Sequence, residues 1–525
     1  MELRGEMLLG QRSVRGAEPQ RAFSPASNGY IEPEFWGGGE AEVDRACRLA
    51  AAAYDSYSRT NPEDRAKFLE AIADNLVGLG DILVQRCMAE TGLPQARVQG
   101  EQSRTAAQLR MFAAVVRRGL WRDVTINSAD PSRKPLPKPD LRMQKIGIGP
   151  VGVFGASNFP ILYSVAGGDT ASALASGCPV VVKAHFSHLG TSELVGRAIQ
   201  EAVAEAGLHE GVFSLVMGEG NAVGEALVKH PEIKAVAFTG SESGGMALFR
   251  IGQQREEPIP VFAEMTSVNP NFVLPHALES RAQSFATRFV EQMNLGVGQM
   301  CLTPGMIVAI DGVGFNLLRT TLRDELAKRP AATMLSPGLL KGYQTGLDRQ
   351  RSVKEARELA SGGKAEKPLD GQAYIFEVDA EAILSNRTLA DEVFGPQAIL
   401  IKCESPGDMI AVADSLRGQL TMAIQLEEND IGLAKRLMPI LERRTNRILA
   451  NGFSNMVEIS DAMIHGGPFP ATSDPRFTSV GSTAIDRFLR PICYQNMPTA
   501  LLPPALADGN PLDLWRLHDS VLGKR

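Results

Sequence analysis

The chain has 525 residues, 44% hydrophobic and 22% charged, the balance of a folded globular protein large enough for two or three domains. Its 60 acidic and 54 basic residues give a formal charge of −6 and lie scattered, without the basic clusters that grip a phosphate backbone, which argues against a nucleic-acid partner. No run of about 18 apolar residues occurs, and the start Met1-Glu2-Leu3-Arg4-Gly5-Glu6 lacks the apolar core of a signal peptide, so a cytoplasmic protein without membrane contact is expected. Six cysteines, at 47, 87, 178, 301, 403 and 493, form no Cys-x-x-Cys pair. Neither a disulfide framework nor a metal site is expected, and each thiol is by default a small buried apolar group.

In chain order, residues 1–40 read as irregular, rich in Gly and Pro. A helical layer follows from Glu42 to Ala114, with apolar residues Val43, Ala46, Leu49, Ala50 and Ala53 at helical spacing. After the proline-rich stretch Pro131 to Pro139, short apolar runs alternate with amphipathic segments. Strands are predicted at Gly152 to Gly155, Pro179 to Lys183, Val212 to Val216 and Ala235 to Phe238, with helices at Asp169 to Ala175, Ser192 to Ala206 and Asn221 to Val228. This is the pattern of an α/β domain, a doubly wound parallel sheet. A second alternation runs from Val261 to about Ile464, with strands near Phe272, Met306, Ala398 and Met422, and predicts a second α/β domain. No internal repeat or low-complexity tract occurs. The segment Gly218 to Gly224 misses the Gly-x-Gly-x-x-Gly spacing by one residue and reads as a tight strand-to-helix turn.

The segment Gly296-Val297-Gly298-Gln299-Met300-Cys301 places a thiol after two glycines, where backbone can bend close to a ligand. Spacing alone leaves two readings open, an activated thiol or a buried cysteine beside a turn. Phe238-Thr239-Gly240-Ser241 follows a strand and opens a helix, leaving free N–H groups and a positive dipole end for a pyrophosphate. Lys183 ends a strand of three valines, where open sheets place ligands.

Taken in order, Gly155-Ala156-Ser157-Asn158-Phe159-Pro160, Val181-Val182-Lys183-Ala184, Phe238-Thr239-Gly240-Ser241, Phe262-Ala263-Glu264-Met265, Gly298-Gln299-Met300-Cys301 and Glu392-Val393-Phe394-Gly395-Pro396 resemble the blocks of the aldehyde dehydrogenase superfamily. The resemblance implies a Rossmann-type cofactor-binding domain (1–127 and 147–261), a catalytic domain (262–484), a β oligomerisation arm (128–146 and 485–500) and a C-terminal tail (501–525). It implies a homodimer or homotetramer joined through the arms. It also implies Cys301 as nucleophile, Asn158 with the Cys301 backbone N–H as oxyanion donors, and Glu264 as general base for thioester hydrolysis. The apolar neighbours of Glu264 are expected to raise its pKa. Lys183, Phe238, Thr239, Gly240, Ser241, Glu392 and Phe394 are the implied cofactor residues, Lys183 and Glu392 at the two riboses. NAD-preferring relatives commonly carry a glutamate three positions after the lysine; here that position is Phe186, near His185 and His188, so NADP is expected, with NAD possible.

Val165 to Pro179, Phe469-Pro470-Ala471-Thr472-Ser473 and Arg490 to Gln495 resemble the α-ketoglutaric semialdehyde (2,5-dioxovalerate) dehydrogenase branch, which implies oxidation of 2,5-dioxopentanoate to 2-oxoglutarate. Arg104, Arg110 and Arg476 could approach a distal substrate carboxylate, although each reads more naturally as a surface residue. A pocket lined only by Phe159, Leu302 and Phe453 would instead suit a fatty or aromatic aldehyde. A noncatalytic dinucleotide-binding scaffold and a coenzyme-A-acylating enzyme are further alternatives, and the latter type generally lacks the glutamate base. Thr266 and Leu302 depart from the family pattern; Thr266 is expected to restrict Glu264, and Leu302 to narrow the aldehyde pocket.

Overall fold

The computed structural model describes residues 2–218, 220–455 and 457–524. Its first sheet has the spatial order Val261–Glu264, Ala235–Thr239, Val151–Phe154, Val180–Lys183, Phe213–Val216, Met7–Leu9 and Arg12–Val14. The first five of these run parallel. Chain order reverses between Val151–Phe154 and Ala235–Thr239, which opens a crevice beyond their carboxyl ends. The alternating pattern of the sequence appears as a nearly unbroken apolar core, because helices cover both faces and every strand must be buried on both sides. Helices Glu40–Tyr57, Pro62–Gly78, Gly80–Thr91 and Gln95–Arg118 make up the helical layer.

The second sheet has the order Arg357–Ser361, Tyr374–Asp379, Gln397–Cys403, Met306–Ile310, Pro270–Val273, Met422–Gln425 and Ile448–Ala450, parallel except at its first pair. A third, of five strands, joins Leu489–Gln495, Leu141–Gly147, Thr125–Asn127, Arg516–His518 and Val521–Gly523.

Three expectations need correction. Residues 1–40 are not irregular: Met7–Leu9 adds antiparallel to the edge strand Phe213–Val216, and Glu18–Ser24 pairs with Gly29–Gly37. Met7–Leu9, only three residues long, carries too little alternation to be seen in sequence and is made by the long-range edge it joins. The strand Val261–Glu264, read as opening the second alternation, pairs instead with Ala235–Thr239 in the first sheet. Residues 501–525 are more than a tail, since Arg516–His518 pairs with Thr125–Asn127 and Val521–Gly523 pairs in turn with Arg516–His518. In the Gly218 to Gly224 turn, Glu219 lies outside the described residues. Among the described residues no helix is long and apolar enough to cross a membrane.

Candidate active site

The parallel strands of the first sheet deliver their carboxyl ends to one edge. Lys183, Thr239 and Glu264 each end a strand there, and the backbone N–H of Gly240 donates to the Glu264 carbonyl at 3.0 Å. From the other sheet, helix Pro275–Asn294 stops short of Cys301 because Gly296, Val297 and Gly298 take φ of +61°, +58° and +64°. A β-branched residue such as Val297 at positive φ stores roughly 1–3 kcal/mol of strain, which the surrounding packing must hold. At Gly298 a Cβ would stand 2.3 Å from the Gly395 carbonyl carbon, so only glycine lets this loop lie against the loop of Glu392 to Pro396. Asn269 clamps the far side, its Nδ2 donating to the carbonyls of Cys301 and Thr303 at 2.9 Å each.

Cys301 is half-buried, and its Sγ lies 3.6 Å from Nε2 of His465. The same Nε2 is 3.2 Å from Oε1 of Glu264, and the Ser479 hydroxyl donates to Oε2 of Glu264 at 2.6 Å. His465 thus stands between thiol and carboxylate, and its Nδ1 has no partner among the described residues. The sulfur, imidazole and carboxylate ligand atoms all lie within 4.8 Å of one another, a donor set that a zinc-sized ion could also bridge. Neither His465 nor Ser479 stood out in the sequence. The signal for His465 was a lone histidine before Gly466-Gly467-Pro468, the kind of residue that is usually structural.

Burial pushes the Cys301 thiol well above its ordinary pKa, and the charges of Glu264 and Glu392 add to this. Cys301 therefore rests as a thiol, which would need to lose its proton to act as a nucleophile. Burial also works to raise Glu264, but the charge and hydrogen bond of His465, with Ser479 and Arg487, hold it below the ordinary carboxylate value. This corrects the expected rise: adjacent residues in a strand point to opposite faces, so Ala263 and Met265 do not decide what the Glu264 carboxyl meets, and His465 outweighs the burial. Burial raises Glu392 to about 7, against the opposing effect of the Thr266 hydroxyl.

Asn158 is buried, and its Nδ2 donates to the Gln299 carbonyl at 3.0 Å, which ties it to the Cys301 loop. Glu392 and Phe394 line a cavity that also reaches Gly298 and Met300, next to the nucleophile. Ser241 caps helix Glu242–Gln253, its Oγ accepting from the Gly244 N–H at 3.1 Å, and the turn Thr239-Gly240 precedes it. The Phe238 ring packs 6.2 Å from that of Phe154, beneath the crevice. Lys183 is half-buried at its strand end with no acidic partner among the described residues. A cation, a helix start and a strand-end crevice suit an anionic dinucleotide.

Other predicted residues fall elsewhere. Phe453 packs on Phe285 and Phe289, away from the Cys301 cavity. Arg110 and Arg476 are exposed and paired with Asp74 and Asp474. His188 is fully buried between the Ala156 carbonyl and Ser192, and burial keeps both His185 and His188 below their usual pKa, so neither is a charged surface donor. The Thr266 hydroxyl donates to Oε2 of Glu392 at 2.7 Å, so the residue expected to act on Glu264 acts on Glu392. Arg104, read as a surface residue, lines the cavity over Cys301, with Leu302, Phe159 and His465.

A dinucleotide-type sheet whose strand ends meet a thiol and a carboxylate is the layout of an oxidoreductase that works through covalent chemistry. The chain belongs to the aldehyde dehydrogenase family, whose profile matches residues 14–437. It is an enzyme of NAD(P)-dependent aldehyde oxidation. It is 51% identical over 521 residues to α-ketoglutaric semialdehyde dehydrogenase 2 of Azospirillum brasilense, covering 99% of both chains. It is 48% identical over 482 residues to α-ketoglutaric semialdehyde dehydrogenase of Acinetobacter baylyi, covering 92% of this chain and 91% of the other. In fold it is similar to betaine aldehyde dehydrogenase of Staphylococcus aureus in complex with NAD+, with a TM-score of 0.80, 20% identity, and 94% and 97% of the two chains covered.

Proposed function

We propose that the protein oxidises 2,5-dioxopentanoate to 2-oxoglutarate, with Cys301 as nucleophile, Asn158 as oxyanion donor and Glu264 as hydrolytic base. The observation that carries the chemistry is the Cys301–His465–Glu264 contact chain, at 3.6 Å and 3.2 Å. The two semialdehyde dehydrogenases above, matched over nine-tenths or more of the chain, support the substrate.

As Cys301 Sγ forms its bond to the aldehyde carbon, the thiol proton leaves to solvent, because Nε2 of His465 carries the hydrogen that it donates to Glu264. The Asn158 amide and the Cys301 backbone N–H stabilise the alkoxide of the resulting thiohemiacetal. The bound nicotinamide supplies the acceptor for the hydride that leaves this carbon. Glu264 then takes a proton from the water that attacks the thioester, and Ser479 and His465 keep its carboxylate aimed and ionised. Lys183, the Thr239-Gly240-Ser241 turn, Phe238, Phe394 and Glu392 would hold the cofactor.

NADP is the proposed preferred cofactor, with NAD also accepted: Phe186 is exposed where a carboxylate would repel a 2′-phosphate, and Lys183 offers the charge. The histidines add nothing to that preference. A homodimer or homotetramer is proposed through the five-stranded sheet, where Leu517, Val521 and Leu522 are exposed. A fatty or aromatic aldehyde is the second reading, favoured by the buried walls Phe159, Met300 and Leu302.

The test is cofactor reduction with 2,5-dioxopentanoate, hexanal and benzaldehyde under NAD and NADP, for the unmodified protein and for Cys301→Ala. The Ala variant is expected to be inactive on all three; turnover by it would sink the covalent mechanism.

A further inference from the structure

We infer that Arg104 is the specificity-determining residue of this site, receiving the distal carboxylate of an anionic aldehyde whose carbonyl lies at Cys301. This rests on the semialdehyde reading above and assigns the residue behind it.

Helix Gln95–Arg118 presents Arg97, Glu101 and Arg104 along one face, at i, i+4 and i+7. The first two are consumed by structure. Arg97 Nε donates to Oε1 of Glu101 at 2.8 Å, and its guanidinium lies 4.4 Å over the Phe159 ring. Oε2 of Glu101 accepts the backbone N–H groups of Ile161 and Leu162 at 3.3 Å each. This neutral pair docks the segment that carries Asn158.

Arg104, one turn further on, has no such partner. Among the described residues no carboxylate pairs with it, and it donates from Nη2 to the Val457 carbonyl, which anchors its head at the cavity wall. A guanidinium carries five N–H donors in a planar fork that matches a carboxylate, so one backbone bond leaves most of its capacity for a ligand. Arg104 is the only lysine or arginine among the described residues lining the Cys301 cavity, whose other walls include Phe159, Tyr163 and Leu302. Glu264, held ionised close to the sulfur, repels an anionic substrate, and Arg104 supplies the opposing charge at the substrate's far end. A neutral aldehyde of equal length would leave the cation facing a methyl group. Sites built around such a polar contact discriminate strongly against analogues that lack it.

The experiment compares kcat/KM for 2,5-dioxopentanoate and for pentanal in the unmodified enzyme, Arg104→Met and Arg104→Lys, with melting curves to establish folding. The specificity ratio is expected to fall about 100-fold in Arg104→Met, mostly through KM for the anion, and to recover in part in Arg104→Lys. An unchanged ratio in a folded Arg104→Met would overturn the proposal, as would equal losses on both aldehydes. Failure of the substrate reading looks different: the unmodified enzyme itself would show no preference for the anion. Glutarate then serves as a probe independent of turnover. Inhibition of the unmodified enzyme by glutarate that disappears in Arg104→Met supports the carboxylate site, and absence of inhibition counts against it.

Discussion

Glu264 and Glu392 bear on the same thiol, each withdrawn from water, yet one carboxyl is held below its ordinary pKa and the other is raised to about 7. Burial acts in the same direction on both. The partners differ: Glu264 faces an imidazole at 3.2 Å and a serine hydroxyl at 2.6 Å, whereas Glu392 has only neutral donors, the Thr266 hydroxyl at 2.7 Å and the Ser267 backbone N–H. A neutral donor offsets less of the desolvation cost than a charged one. The contrast matches the proposed roles, because a hydrolytic base must be ionised in the resting site, while a group that accepts ribose hydroxyls gains its partners only with the cofactor.

The sharpest way to break the comparison is Glu264→Gln. It is expected to lower steady-state turnover by about 10²–10⁴-fold while a single burst of reduced cofactor per active site survives, as rapid mixing would reveal. Loss of the burst together with turnover would place Glu264 before acylation instead.

Next in size is His465→Gln, which removes the partner that depresses Glu264. The sign follows from the causes: without the imidazole, burial dominates, the Glu264 pKa rises, and the base becomes protonated at higher pH. The acid limb of the kcat profile should therefore move to higher pH, with a loss of about 10–100-fold near neutrality. A uniform drop with an unmoved limb would mean that His465 serves Cys301 alone.

The smallest effect belongs to Thr266→Gly. Removing the hydroxyl takes away a bond that favours ionised Glu392, so its pKa should climb above about 7. A few-fold rise in cofactor KM is expected near pH 7, disappearing at high pH where Glu392 is ionised in either form. Glu392 also carries a stability signature. Its folded-state pKa exceeds the ordinary 4.5, so the folded protein keeps a proton that the unfolded chain releases, and stability falls as pH rises from about 4.5 to 7. Thermal melts of Glu392→Gln should lack that component.

Much of the fold was legible because burial on both faces of a parallel sheet writes continuous apolar runs such as Val180 to Val182 into the chain. Met7–Leu9, Arg516–His518 and Val521–Gly523 were not, since three-residue strands are made by the sheet edge they join rather than by their own pattern. Cys301, Glu264 and Asn158 could be named from motifs because each sits in a local segment whose turn or strand end is set by near neighbours.

Sequence by itself thus determined the alternation of elements and the family, and named the residues proposed to meet the reacting atoms. Tertiary structure alone decided how those residues are tuned. His465 lies 164 residues from Cys301 and Ser479 lies 215 from Glu264, and no local pattern records so distant a contact. The same holds for Thr266 on Glu392 and for Arg104 over Cys301. A pKa or a charge match depends on distance in space, roughly as its inverse, and distance in space is what the packing of the two sheets and the helical layer supplies.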